Sequence, residues 1–168
     1  PFELHSTSPR ETFRLSLGER VKAAPRLLPS GDVLVITEPG RVLRITPGGR
    51  IADEARVPHR VLATPAVDVA GRVYVGTEDG HVLVLDEGLE PERDVTIGDS
   101  VVGTLAAFSN GLVAVPSRGI SLVSATGVVV RRFPSPSAIR GGAVRHRAGY
   151  VVFGTSEGRL IAARMDGS

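Results

Sequence analysis

Residues 71–88 read GRVYVGTEDGHVLVLDEG. Two short apolar runs, VYVGT and HVLVL, flank the polar turn Glu78-Asp79-Gly80. A turn ending in glycine lets the chain take a positive φ without a Cβ clash, and the flanking β-branched and aliphatic residues suit a half-buried strand pair. The stretch therefore predicts a β-hairpin.

The same pattern recurs along the chain. GDVLVITEPGRVLRITPGG starts at Gly31, GLVAVPSRGISLVSATG at Gly111 and GYVVFGTSEGRLIAARMDG at Gly149. The registers agree at Val33, Val73, Val113 and Val151, and again at the turn glycines Gly40, Gly80, Gly119 and Gly158. The spacers repeat too: RVKAAPRLLPSG (20–31), RVLATPAVDVAG (60–71), SVVGTLAAFSNG (100–111) and AIRGGAVRHRAG (138–149). Each predicts one further strand before its hairpin. Ala23, Ala63, Gly103 and Gly141 share one column, and Ala24, Thr64, Thr104 and Gly142 the next. Columns of tiny residues are expected where strands crowd around a ring axis. More polar segments supply a fourth strand: ETFRLSLG (11–18), RIADEARV (50–57), RDVTIG (93–98) and VVRRF (129–133).

Four antiparallel strands repeated about every forty residues specify an all-β fold, a β-propeller built of four-stranded blades. One hairpin-based sheet cannot bury both faces alone, so the blades must stack face to face. Residues 1–10 form an N-terminal tail and 11–168 the propeller repeats. Three closures are open: a four-bladed ring, half of an eight-bladed dimer, or an arc of a larger propeller. The phase of the repeat predicts that the strand 11–18 completes the last blade beside RLIAAR (159–164).

Composition bounds the chemistry. The chain has 42% hydrophobic residues, enough for a packed core. It has no cysteine, which excludes disulfides, thiolate metal sites and a cysteine nucleophile, and no tryptophan. No apolar run is long enough to span a bilayer as a helix, so direct membrane insertion is not expected. The first residue is Pro1 rather than Met, as expected of a processed product or a domain of a longer protein.

The second repeat and, more loosely, GYVVFGTSEGRLIAARMDG resemble the repeat of the pyrroloquinoline-quinone-type (PQQ-like) propellers. The shared pattern is Gly, a strand bearing Tyr and Val, Gly-Thr, a polar pair, Gly, a strand carrying Leu, then Asp near Gly. The small-residue strands with Pro25 and Pro65 fit the same family. The resemblance runs over nearly all of residues 11–168 and is weakest in the third repeat. It implies one of two functional kinds. One is the quinoprotein dehydrogenases, which bind the quinone with a metal. The other has the repeats without the cofactor and includes the lipoprotein scaffold of bacterial outer-membrane barrel assembly and sensor domains of some bacterial kinases.

The dehydrogenases typically stack the quinone on tryptophan, and many carry paired cysteines beside it. The absence of both residue types favours the second kind: a non-catalytic protein-interaction scaffold or ligand-sensing module of the bacterial cell envelope, hence periplasmic or extracytoplasmic. The alternative is a fragment or relative of a quinoprotein dehydrogenase whose catalytic parts lie elsewhere. No cofactor, metal or catalytic residue is expected. His5, His59, His81 and His146 are scattered without metal-ligand spacing. The acidic run Asp86, Glu87, Glu90, Glu92 and Asp94 lacks the spacing of a calcium loop and reads as a solvated turn.

Charge is uneven. Residues 118–168 carry eight arginines against Glu157 and Asp166, whereas the chain as a whole has a net charge of only +2. Arg131, Arg132, Arg145 and Arg147 form a candidate basic patch for an anionic partner or for self-association into a dimer. Nucleic acid is not expected, because stacking aromatics are scarce. Propellers bind through loops held by their strands. The hairpin turns and the loops joining one blade to the next share a face, and Arg20, His59, Arg60, Asp99, Arg118 and Arg140 there are the candidate contacts to a protein partner.

Overall fold

The computed structural model describes residues 11–108, 111, 113–135, 137–139 and 141–164. Among them every regular element is a β-strand, and the strands group into four separate antiparallel sheets. The first is β1 (Arg26–Leu27), β2 (Val33–Ile36), β3 (Arg41–Ile45) and β4 (Ile51–Arg56). The second is β5 (Ala66–Val67), β6 (Val73–Gly76), β7 (His81–Leu85) and β8 (Pro91–Thr96). The third is β9 (Ala106–Ala107), β10 (Val113–Pro116), β11 (Gly119–Val123) and β12 (Val129–Pro134). The fourth holds three strands, β13 (Ala143–His146), β14 (Tyr150–Gly154) and β15 (Leu160–Arg164).

Sequential strands pair within each sheet, as expected of propeller blades. A register shift interrupts the outermost pairing at Arg44/Ile45, Val84/Leu85 and Leu122/Val123, the same column in three repeats. A bulge there adds local twist where the outer strand begins.

The blades stack through their apolar faces. Leu34, Ile36 and Val42 of the first meet Val73, Val75, Leu83 and Leu85 of the second. Tyr74, Val82 and Val84 of the second meet Val113, Val115 and Val123 of the third. Ala114, Ile120 and Leu122 of the third meet Val151 and Phe153 of the fourth. Successive strand residues point to opposite faces, so a strand buried on both sides reads as the continuous apolar run seen in VYVG and HVLVL.

The columns of tiny residues lie where neighbouring blades touch at their inner ends. Leu105 N–H donates to Thr64 O at 3.0 Å and Ala143 N–H to Thr104 O at 2.9 Å. Gly142 has φ +94°, and a Cβ there would lie 2.4 Å from the Thr104 nitrogen. Any larger side chain would push the third and fourth blades apart.

One expectation is corrected. Residues 11–17 do not form the outer strand of the fourth sheet within this chain. Leu15 and Leu17 instead pack on Val33, Val35, Leu43 and Ile45, the free face of the first blade. The reason lies in the repeat itself. The segment sits one repeat before β4, and Val57, the counterpart of Leu17, packs onto the second blade in the same way. Residues 11–17 thus cover the first blade from the preceding position without forming a strand. Of the three closures left open, the four-bladed ring is not formed among the described residues. The far face of the fourth blade stays open, with Val144 68% and Leu160 78% exposed.

Candidate binding site

The short inner strands line a concavity of about 390 Å³. Its floor is Ala66, Val67, Ala106 and Ala107, with Leu27 on one side and Val144 on the other. Leu27 is 76% exposed, so this surface is both apolar and open. Two guanidinium groups border it, Arg26 from the first blade and Arg145 from the fourth. Arg26 donates through Nε to Pro65 O at 2.9 Å and through Nη2 to Leu105 O at 3.3 Å. The backbone carbonyls of two further blades thereby hold it at the edge of the concavity. Arg145 is exposed, with its guanidinium carbon 5.9 Å from the centroid of the Phe108 ring.

Sequence reasoning did not single out Arg26. Its column otherwise holds Ala66, Ala106 and Val144, and this one cation in a small-residue column was the available signal.

The loop face carries most of the expected contacts. Glu38 N–H donates to Arg20 O at 2.6 Å and Glu78 N–H to Arg60 O at 2.9 Å, so each hairpin turn is stitched to the loop entering its blade. Arg60 bridges two turns, pairing with Glu38 and, at 2.7 Å, with Glu78. Hydrogen bonds from Arg60 hold the Glu38 carboxyl below the usual carboxylate range, outweighing its desolvation. Arg118 lies 3.6 Å from Asp99 on the next stretch of rim. Arg20 and Arg118 are exposed, and Arg140 falls outside the described residues.

His59 belongs to the same rim. Its Nδ1 lies 2.6 Å from Asp79 Oδ2, and its ring stacks on His81 with centroids 4.9 Å apart. A hydrogen bond from the Thr77 hydroxyl, and then one from His59, hold the Asp79 carboxyl below its ordinary range. Nothing in the sequence connects His59 with His81, because both occupy variable columns of the repeat.

The expected basic patch is split. Arg131 and Arg132 sit on β12, the outermost strand of the third sheet, with Arg131 5.6 Å from the Phe133 ring centroid and Arg132 donating to Ile97 O at 2.9 Å. Arg145 sits on β13, the innermost strand of the fourth sheet, and Arg147 in the turn after it. Neighbours in sequence across a blade junction are placed at opposite edges of their sheets, so of the four only Arg145 reaches the axial concavity.

No protein-family model and no curated protein sequence matches the chain. Solved structures do. BamB from Moraxella catarrhalis superposes with a TM-score of 0.74 at 19% identity, over 85% of this chain and 45% of that one. BBS1N, solved in complex with ARL6DN, superposes with a TM-score of 0.76 at 19% identity, over 94% of this chain and 55% of that one. A protein of unknown function from Bacteroides caccae gives 0.62 at 16% identity. At such identities the likeness defines the fold class, a β-propeller, of which this chain carries four blades. The chain spans about half the length of BamB and of BBS1N.

Proposed function

We propose that the chain is a non-catalytic propeller arc of the PQQ-like repeat type, a protein-interaction scaffold of the bacterial cell envelope that receives an extended acidic peptide segment in its axial concavity. The observation that carries this reading is the pairing of open apolar surface at Leu27 and Val144 with the guanidinium of Arg145 at the same concavity. Apolar surface left facing water is a mark of an interaction site, and an arginine beside it selects carboxylates over amines. The rim outside it is polar and internally paired through Arg60, Glu38 and Glu78, as the border of a protein interface is. The structures of BamB and of BBS1N with ARL6DN support the fold on which the reading rests.

The experiment is a fluorescence-anisotropy titration with two labelled peptides, one alternating Glu and Leu and one alternating Lys and Leu. The Glu peptide binds the parent and loses at least tenfold in affinity with Arg145→Glu, while Arg131→Glu leaves it unchanged. Absence of binding, or equal binding of both peptides, defeats the reading.

A further inference from the structure

We propose that His59, His81 and Asp94 form a binding site for a divalent first-row transition cation of the zinc type. His59 lies in the loop between β4 and β5, His81 opens β7, and Asp94 lies on β8. Strand pairing places Asp94 opposite Leu83, two residues along β7 from His81 and thus on the same face of the sheet. The folded chain brings one donor atom from each of the three side chains within 4.8 Å of the others.

One imidazole, His59, is oriented by a carboxylate outside the site, and the other, His81, faces the ligand Asp94 directly. His59 Nδ1 meets Asp79 Oδ2 at 2.6 Å and His81 Nδ1 meets Asp94 Oδ1 at 2.7 Å. An ionised carboxylate only accepts, so in neutral His59 the proton sits on Nδ1 and the lone pair on Nε2, whereas a cation shared by His81 Nδ1 and Asp94 Oδ1 takes the place of the proton between them. Carboxylate partners on the far nitrogen are the usual supports of metal-binding histidines, because they fix the tautomer and raise its basicity. Asp79 is itself held by the Thr77 hydroxyl at 2.6 Å, which extends the support one step further.

Imidazole nitrogen with carboxylate oxygen suits zinc and its neighbours rather than calcium or magnesium. Zinc–ligand distances near 2.0–2.2 Å require donors about 3.3 Å apart in a tetrahedral site. The side chains are 20%, 28% and 50% exposed, so they can turn inward at the surface without opening the core, and water completes the coordination. The spacing hid this site, since the two histidines are separated by two strands and their loops.

The test uses the chelator-treated 168-residue chain and zinc chloride in a calorimetric titration, with cobalt(II) absorption as a second readout. One ion per chain is expected. His59→Ala and His81→Ala each weaken binding at least tenfold, and the double variant abolishes it. Asp79→Asn, which alters only the supporting carboxylate, weakens binding less than loss of either imidazole. His146→Ala, whose ring stacks on Tyr150 instead, leaves it unchanged. Zinc raises the melting temperature of the parent and not of the double variant, whose metal-free melt reports that it is folded. Failure to bind one ion saturably, or binding that survives in the double variant, overturns the proposal.

Discussion

Arg26 reaches Leu105, 79 residues away, donating through Nη2 to its backbone carbonyl at 3.3 Å while Nε donates to Pro65 O at 2.9 Å. One guanidinium thus ties the inner ends of three blades at the point where backbone hydrogen bonds between sheets are few. The repeat offers alanine at the matching positions 66 and 106, so Arg26→Ala keeps the local pattern and removes only the tie. It leaves two acceptors in buried residues unsatisfied and costs about 1–3 kcal/mol in a urea melt. Arg26→Lys recovers only part, because an ammonium cannot reproduce the fork.

The second blade contains a buried polar knot. The Asp68 side chain is fully buried and accepts from Ala70 N, Arg72 N, Arg72 Nε and the Tyr74 hydroxyl. Desolvation first, and the charge of Asp68 second, push the Tyr74 pKa up to about 12. The pKa is raised on folding, so the neutral phenol contributes stability that is fully present below its unfolded value near 10. That stability is lost as pH rises through about 12. Alkaline melts of the parent therefore lose stability across that window. Tyr74→Phe flattens this loss and removes an ultraviolet phenolate step near pH 12, at a cost of about 1 kcal/mol at neutral pH for the missing hydrogen bond.

Leu15 and Leu17 cover the free face of the first blade, over Val35, Leu43 and Ile45. The double change to alanine is expected to cost about 2 kcal/mol, since both side chains are half-buried. Hydrogen-exchange protection should fall in β2 and β3 and stay unchanged in β14 and β15. A loss of protection in β15 would instead restore the latch between residues 11–18 and the fourth blade.

The blades were legible because their signals are local. Glycine at the end of the hairpin turn in the first, second and fourth repeats, and valine at or next to the head of each second strand, mark the period without reference to anything distant, while in the third repeat Gly119 already opens β11. The inner strands were harder, as only two residues of each twelve-residue spacer pair regularly in the first three sheets. Residues 11–18 were expected as the outer strand of the last blade; they form no strand and lie on the first blade, because phase alone does not say which blade a terminal segment covers. Packing of Leu15 and Leu17 decides it. The site residues were less legible still. Arg60, expected as a contact to a protein partner, is a bridge between Glu38 and Glu78. Arg145 was grouped with Arg131 and Arg132 by proximity in sequence, which a blade junction does not preserve. The stacking of His59 on His81 is a tertiary contact between two variable columns, and no period announces it.

The most direct measurement of the central claim is amide hydrogen exchange of the chain with and without the Glu/Leu peptide at saturation. A segment lying in the axial concavity protects residues 26–27, 66–67, 104–107 and 143–146, and leaves the turns at 38–39 and 78–79 unchanged. Protection confined to those turns and to residues 58–60, with none along the inner strands, would contradict it.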